Sequence, residues 1–240
     1  MNRLDQIIVD RGLAATRSKA ADSIRRGKVL VNGVITSKIS RKVSQEDVIT
    51  IDDISLLYVS RSALKLLFLL ETIGINIKDF VCVDIGASTG GFTQVLLEKD
   101  VRKVYSVDIG HDQLSKNLLS NNKVINMEGT DSRNLTEDFF INIDLITVDV
   151  SFISLKKAMG NTLLLLKKNI VFMALIKPQF EVGRENIGSG GIVRDTDIAW
   201  RAVWDIRQWI LEQGFYDINL FKSPLLGKTG NQEWLIYAKK

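Results

Sequence analysis

Three observations predict an α/β fold in which an open, mostly parallel sheet follows a small basic α+β module. A strand, a glycine turn and a helix start occupy residues 81–94, and further apolar strands each end in a charged residue. The third is an N-terminal stretch rich in Lys and Arg, with the punctuation of two helices and a hairpin.

In chain order, Leu4, Ile7 and Ile8 mark an amphipathic helix that ends at Gly12, and Thr16 caps a second helix, Arg17 to Arg26, stopped by Gly27. Lys28 to Val31 and Val34 to Thr36 flank Asn32-Gly33, the dipeptide that favours a type I′ hairpin turn. Residues 1–50 carry ten Lys+Arg against five Asp+Glu, and of the totals of 32 and 28 this leaves 22 against 23 for the rest. The basicity therefore belongs to the N-terminal module, where helix and hairpin would present Arg17, Lys19, Arg25 and Arg26 to phosphates; a solvated face or a basic dimerisation module is the alternative. Arg3-Leu4-Asp5, Arg17-Ser18-Lys19-Ala20 and Arg26 through Gly33 resemble the RNA-binding module named after small-subunit ribosomal protein four. That resemblance covers residues 1–50 and nominates Arg3, Arg17, Lys19, Arg25, Arg26 and Lys28 as RNA contacts.

After a linker over 51–59, containing Asp52-Asp53-Ile54, an apolar helix runs from about Ser60 to Thr72 and ends at Gly74. Its Lys65 must snorkel to water or meet an acid, and snorkelling is the expectation. The stretch from Val81 to Gln94 then supplies a cofactor cradle: Asp84, Gly86, Ser88, Gly90, Gly91 and Phe92. An acid two positions before the first glycine would repel a pyrophosphate but suits an ammonium group. The spacing thus points to S-adenosylmethionine, against another nucleotide or an ordinary glycine turn. Asp108, ending the next strand, is placed for a ribose diol. Asp131 is read as meeting the adenine amino group or as a solvated turn residue.

Asp149 and Lys177 each end a strand that looks buried on both faces, so with Asp84 and Asp108 they should converge on one crevice. Thr196 to Gln213 reads as a helix with Ala199, Ala202, Val203, Ile206 and Ile210 on one face. Glu233 opens the last strand and reaches the same crevice only if that strand runs antiparallel. The loop from Glu181 to Asp195, with four glycines, is read as a flap over the substrate or a plain surface connection.

Composition excludes several classes. No apolar run is long enough to span a bilayer, and the first residues do not begin a signal peptide. A single cysteine, Cys82, and a single histidine, His111, exclude disulfides, a structural zinc site and a His-based triad, and favour a reducing cytoplasm.

Lys65, Asp149, Lys177 and Glu233 together resemble the Lys-Asp-Lys-Glu tetrad of FtsJ-like ribose 2′-O-methyltransferases. Joined to the N-terminal module, the whole chain resembles the TlyA (hemolysin A) family, including Val193-Arg194-Asp195 and Gly230 to Glu233. It departs at Ser62-Ala63, where the family has a glycine pair, and Glu181 is a competing acid for the fourth position. The resemblance implies a Rossmann-like S-adenosylmethionine-dependent methyltransferase sheet with a terminal antiparallel strand, over 60–240, preceded by a small α+β RNA-binding domain over 1–50. It further implies methyl transfer to a ribose 2′-hydroxyl of RNA, with ribosomal RNA or ribosomal subunits as partner, in the cytoplasm and with no metal or membrane. The alternatives are a membrane-active haemolysin, an RNA-binding protein with a non-catalytic fold, and a structural ion-pair network in place of the tetrad.

Overall fold

The computed structural model describes all 240 residues, in two compact units, Met1–Arg61 and Ser62–Lys240. The first contains β1 (Asn2–Arg3), α1 (Leu4–Asp10), α2 (Arg17–Arg25), β2 (Val29–Val31), β3 (Val34–Ile35), β4 (Lys42–Val43) and β5 (Ile49–Ile51). The Thr16 hydroxyl caps α2 by accepting from Lys19 N at 3.3 Å. Asn32 and Gly33 have φ of 53° and 78°, as a type I′ turn requires, and β2 lies at the centre of the sheet β3-β2-β5. Leu4, Ile8, Ile24 and Val29 are fully buried between the two helices and this sheet.

Residues 51–59, read above as a linker, lie within this unit. The Asp53 carboxylate accepts from Ser23 Oγ at 2.5 Å and from Ser55 Oγ at 2.7 Å, and pairs with Arg26. Arg61 pairs with Asp22 at 3.1 Å, and Lys19 Nζ donates to the Tyr58 carbonyl. Burial alone would raise the Asp53 pKa, but hydrogen bonds from Ser23, Ser55 and Arg26 outweigh it and hold the carboxyl below its ordinary value.

The second unit runs α3 (Ala63–Ile73), β6 (Val81–Ile85), α4 (Gly91–Glu98), β7 (Lys103–Asp108), α5 (Lys116–Leu119), β8 (Val124–Glu128), β9 (Leu145–Val148) and α6 (Leu155–Leu165). It continues through β10 (Val171–Ile176), α7 (Pro178–Glu181), α8 (Thr196–Glu212), β11 (Tyr216–Lys222) and β12 (Trp234–Lys239). Seven strands form one sheet in the order β11-β12-β10-β9-β6-β7-β8. Strands β6 to β10 are parallel, and β12 runs antiparallel to β10, as expected from the sequence. Every residue of β6, β9 and β10 is buried, which explains their unbroken apolar sequences. Strand order reverses between β6 and β9, and the crevice that such a reversal opens lies at the carboxyl ends of these strands.

Candidate active site

β6 ends at Ile85 and the chain turns at Gly86, with φ of 80°. A Cβ on Gly86 would stand 2.8 Å from the Asp149 carbonyl oxygen, so only glycine lets this turn lie against the end of β9. Asp149 N donates to the Ile85 carbonyl at 2.9 Å, closing the two strand ends together. Against them lies a cavity of about 390 Å³ whose lining includes Gly86, Ser88, Asp108, Asp131, Asp149 and Phe152.

Asp108 is held in place at the cavity wall: one carboxylate oxygen accepts from Ser88 N at 2.8 Å and the other from Gly110 N at 2.7 Å. Its remaining lone pairs suit a pair of ribose hydroxyls. Asp131 also lines the cavity, with Arg133 Nε 2.9 Å from its Oδ1, and the Arg133 guanidinium holds this carboxyl below its ordinary pKa. An adenine amino group would share Asp131 with that arginine.

Asp84 departs from the expectation that it faces the ligand. It is fully buried, accepting from Thr93 Oγ1 at 2.7 Å and Thr147 Oγ1 at 3.0 Å, and α4, which carries Thr93, covers it. Burial pushes its pKa up to about 6, with the nearby Asp149 adding to the shift and the threonine hydrogen bonds opposing it. Gly90, Gly91 and Phe92 likewise shape the start of α4 rather than line the cavity; Gly90 packs against Leu114 and Leu118, and Phe92 is buried.

Lys177 and Asp149 directly follow the parallel neighbours β10 and β9, so they emerge at the same sheet edge. Lys177 Nζ stands 2.7 Å from Asp149 Oδ1, an ion-pair contact without hydrogen-bond alignment, and donates to Ser151 Oγ at 2.7 Å. In the antiparallel register Trp234 faces Ile176, and one step further along places Glu233 opposite Lys177. Glu233 meets Lys65 of α3 in a second ion pair, with both residues buried. Lys65 therefore does not snorkel: the acid it needs arrives from the far end of the chain. Glu181 is not the fourth member, because its carboxylate accepts from Leu155 N at 2.7 Å at the start of α6.

Sequence reasoning missed Ser151 and Phe152, although they lie only two and three residues after Asp149. Phe152 has φ of 65°, rare for a bulky residue, and is 92% exposed, with its ring 5.4 Å from that of Phe180. Asn231, buried, donates to the Gly191 carbonyl at 2.8 Å and accepts from Val193 N at 2.9 Å. The glycine-rich loop is thereby tied to the segment that carries Glu233.

Charges on the first unit are less available than the sequence implied. Arg3 and Arg17 share Asp5, at 2.9 and 2.7 Å, which leaves that trio one net positive charge. Arg26 is committed to Asp22 and Asp53, and Lys19 to Tyr58. Arg25 and Lys28 are exposed and enter no ion pair.

No helix of the chain is long and apolar enough to cross a membrane, and no cluster of three or more His, Cys, Asp or Glu side chains is placed to hold a metal ion.

Residues 58–240 match the FtsJ-like methyltransferase family, and residues 2–49 match the S4 domain. The chain is 36% identical over 239 residues to the 16S/23S rRNA (cytidine-2′-O)-methyltransferase TlyA of Mycobacterium tuberculosis, covering 99% of this chain and 89% of that protein. Over 238 residues it is 37% identical to Hemolysin A of Brachyspira hyodysenteriae, covering 98% of each. A solved chain from Streptococcus thermophilus, described as a presumed hemolysin, superposes with a TM-score of 0.77 at 35% identity, covering 99% of this chain and 88% of that one. With its S4 domain joined to this methyltransferase sheet, the chain belongs to the TlyA (hemolysin A) family of FtsJ-like methyltransferases.

Proposed function

We propose that this protein transfers a methyl group from S-adenosylmethionine to a ribose 2′-hydroxyl of ribosomal RNA. The observation that carries the reading is that two lysine–acid pairs, the part-buried Lys177 with Asp149 of the cavity lining and the buried Lys65 with Glu233, are brought to the same end of the sheet by the register of its strands. The printed activity of the Mycobacterium tuberculosis relative supports ribosomal RNA as the substrate.

The cavity fits the cofactor in volume, in the close backbone approach at Gly86 and in the anionic Asp108 and Asp149 on its wall. Gly86, Ser88, Asp108 and Asp131 would hold it, and when bound it supplies a methyl carbon attached to a positively charged sulfur. Lys177 would take the hydroxyl's proton on the lone pair of its free amine as the oxygen bonds to that carbon and the carbon–sulfur bond breaks, its electron pair going to sulfur. Ser151 fixes the direction of the amine by accepting one of its hydrogens, and Asp149 stabilises the ammonium that forms. Lys65, steadied by Glu233, orients the attacking oxygen. Phe152 offers an exposed ring face to the base of the reacting nucleotide. The S4 domain supplies affinity for RNA through its exposed cations. A ribosomal substrate assigns the protein to the cytoplasm. No observation favours a membrane-active role over group transfer.

Ribosomal RNA from cells with and without the protein, mapped by resistance to alkaline cleavage, tests this reading. It expects at least one 2′-O-methyl position that depends on the protein. Identical maps for both ribosomal subunits would overturn it.

A further inference from the structure

All four tryptophans of the chain fall within residues 200–234, and three of them form a surface cluster outside the cavity. Trp200 and Trp204 lie one turn apart on α8 with ring centroids 6.2 Å apart, and Trp200 stands 4.8 Å from Trp234. The opposite side of α8 is buried through Ala202, Val203, Ile206 and Ile210, yet Trp200 and Trp204 stay 42% and 43% exposed. Leaving two large apolar rings in water is unfavourable, and three cations frame them. Arg207 lies 4.9 Å from the Trp204 ring and Lys222 lies 5.6 Å from the Trp234 ring. Arg201 lines a shallow recess of about 280 Å³ with Trp200 and Trp204. None of these three cations enters an ion pair; the neighbouring acid Asp205 lines a separate recess beside Glu181, which Arg201 also borders.

The cluster is joined to the reacting end of the sheet. Trp234 directly follows Glu233 and faces Ile176, the residue before Lys177. We infer that Trp200, Trp204 and Trp234 form a stacking platform for single-stranded RNA beside the methyl-acceptor site, with Arg201, Arg207 and Lys222 as its phosphate contacts. Exposed indole surface accepts any base by stacking, and Arg207 and Lys222, each over a ring, together with Arg201 beside the pair, bring positive charge to the phosphates of the same strand. A protein partner seated on the two indoles would have to supply an acid for each of these cations, whereas an RNA strand carries a phosphate at every step. The inference rests on RNA being the substrate proposed above.

The test uses the full chain and a fluorescent oligocytidylate of about 12 nucleotides, read by anisotropy, within the usual range of site sizes. The double variant Trp200→Ala/Trp204→Ala should bind at least about 10-fold more weakly, with an unchanged salt slope and unchanged S-adenosylmethionine affinity by calorimetry. Arg201→Ala/Lys222→Ala, at two exposed positions, should lower the salt slope by about two, and this pair decides the matter if the tryptophan variant misfolds. Unchanged affinity and slope would overturn the platform. So would a wild-type dimer that the tryptophan variant abolishes while RNA affinity stays the same, because a second copy would then occupy the face. If the variants weaken RNA binding but wild-type protein methylates no ribosomal RNA, the platform stands and the catalytic reading fails; full binding and methylation by the variants gives the reverse.

Discussion

Lys65 and Glu233 are 168 residues apart in the chain and form a buried ion pair. The pair fastens α3, at the start of the second unit, to β12, at its end. Removing one partner strands a charge away from water, whereas replacing both with apolar groups of similar volume does not. Lys65→Ala and Glu233→Ala should therefore each lose about 3–5 kcal/mol of unfolding free energy in urea, and Lys65→Met/Glu233→Leu should recover most of it. Losses in the double variant equal to the sum of the singles would contradict the pairing.

Lys177 has a separate role that stability measurements do not read. In single-turnover methylation assays on ribosomal RNA, Lys177→Ala should fall by on the order of 10²- to 10⁴-fold while RNA affinity changes little. Ser151→Ala, which removes only the hydroxyl that orients the amine, should cost roughly 5- to 10-fold, in line with one hydrogen bond. Near-normal turnover in folded Lys177→Ala would remove it from proton transfer.

Much of this site was legible because each side chain sits at a strand end, where periodicity and charge are easiest to see. Asp108, Asp149, Lys177 and Glu233 each interrupt or border an apolar strand, and the sheet brings three of them together. Asp84 was misplaced because a sequence shows that a residue is near a strand end but not that Thr93 and Thr147 close over it. The fate of Lys65 depended on a partner from the far end of the chain, which no local pattern encodes. β11 was overlooked for a related reason: as an edge strand its residues are largely exposed or half-buried, so it lacks the apolar run that revealed β10.

Cofactor binding should depend on Asp108 more than on Asp84. Calorimetry should show S-adenosylmethionine binding to the wild type in preference to NAD, and Asp108→Ala should reduce it strongly, because its carboxylate both lines the cavity and positions Ser88. Equal affinity in that variant, or tighter NAD binding, would refute the assignment of the cavity.

For the first unit, the pairing pattern singles out two cations. Arg25→Ala and Lys28→Ala, exposed and without acidic partners, should each lower the salt slope of RNA binding by about one. Lys19→Ala should instead destabilise the unit, since its Nζ holds the Tyr58 carbonyl. A truncation that separates the units should be made after Arg61, because a cut at residue 50 would remove Asp53 and break its contacts with Ser23 and Arg26. Equal salt slopes for wild type and the Arg25→Ala/Lys28→Ala pair would mean that the RNA anchor lies elsewhere.

Asp84 gives the protein a pH dependence of definite sign. Its carboxyl has a pKa of about 6 in the folded chain against 3.8 as the ordinary value, with burial as the leading cause. Between these values the folded state holds a proton that the unfolded state has released, so stability falls as pH rises from about 4 to about 6 and then levels off. A shift of this size corresponds to on the order of 3 kcal/mol at neutral pH. Asp84→Asn removes the ionisation, keeping an oxygen to accept from one threonine and gaining an amide hydrogen to donate to the other. Urea unfolding at a series of pH values should therefore show the two proteins nearly equal at pH 4, with the variant the more stable above pH 6. Parallel curves for the two proteins across this range would show that Asp84 does not titrate beneath α4.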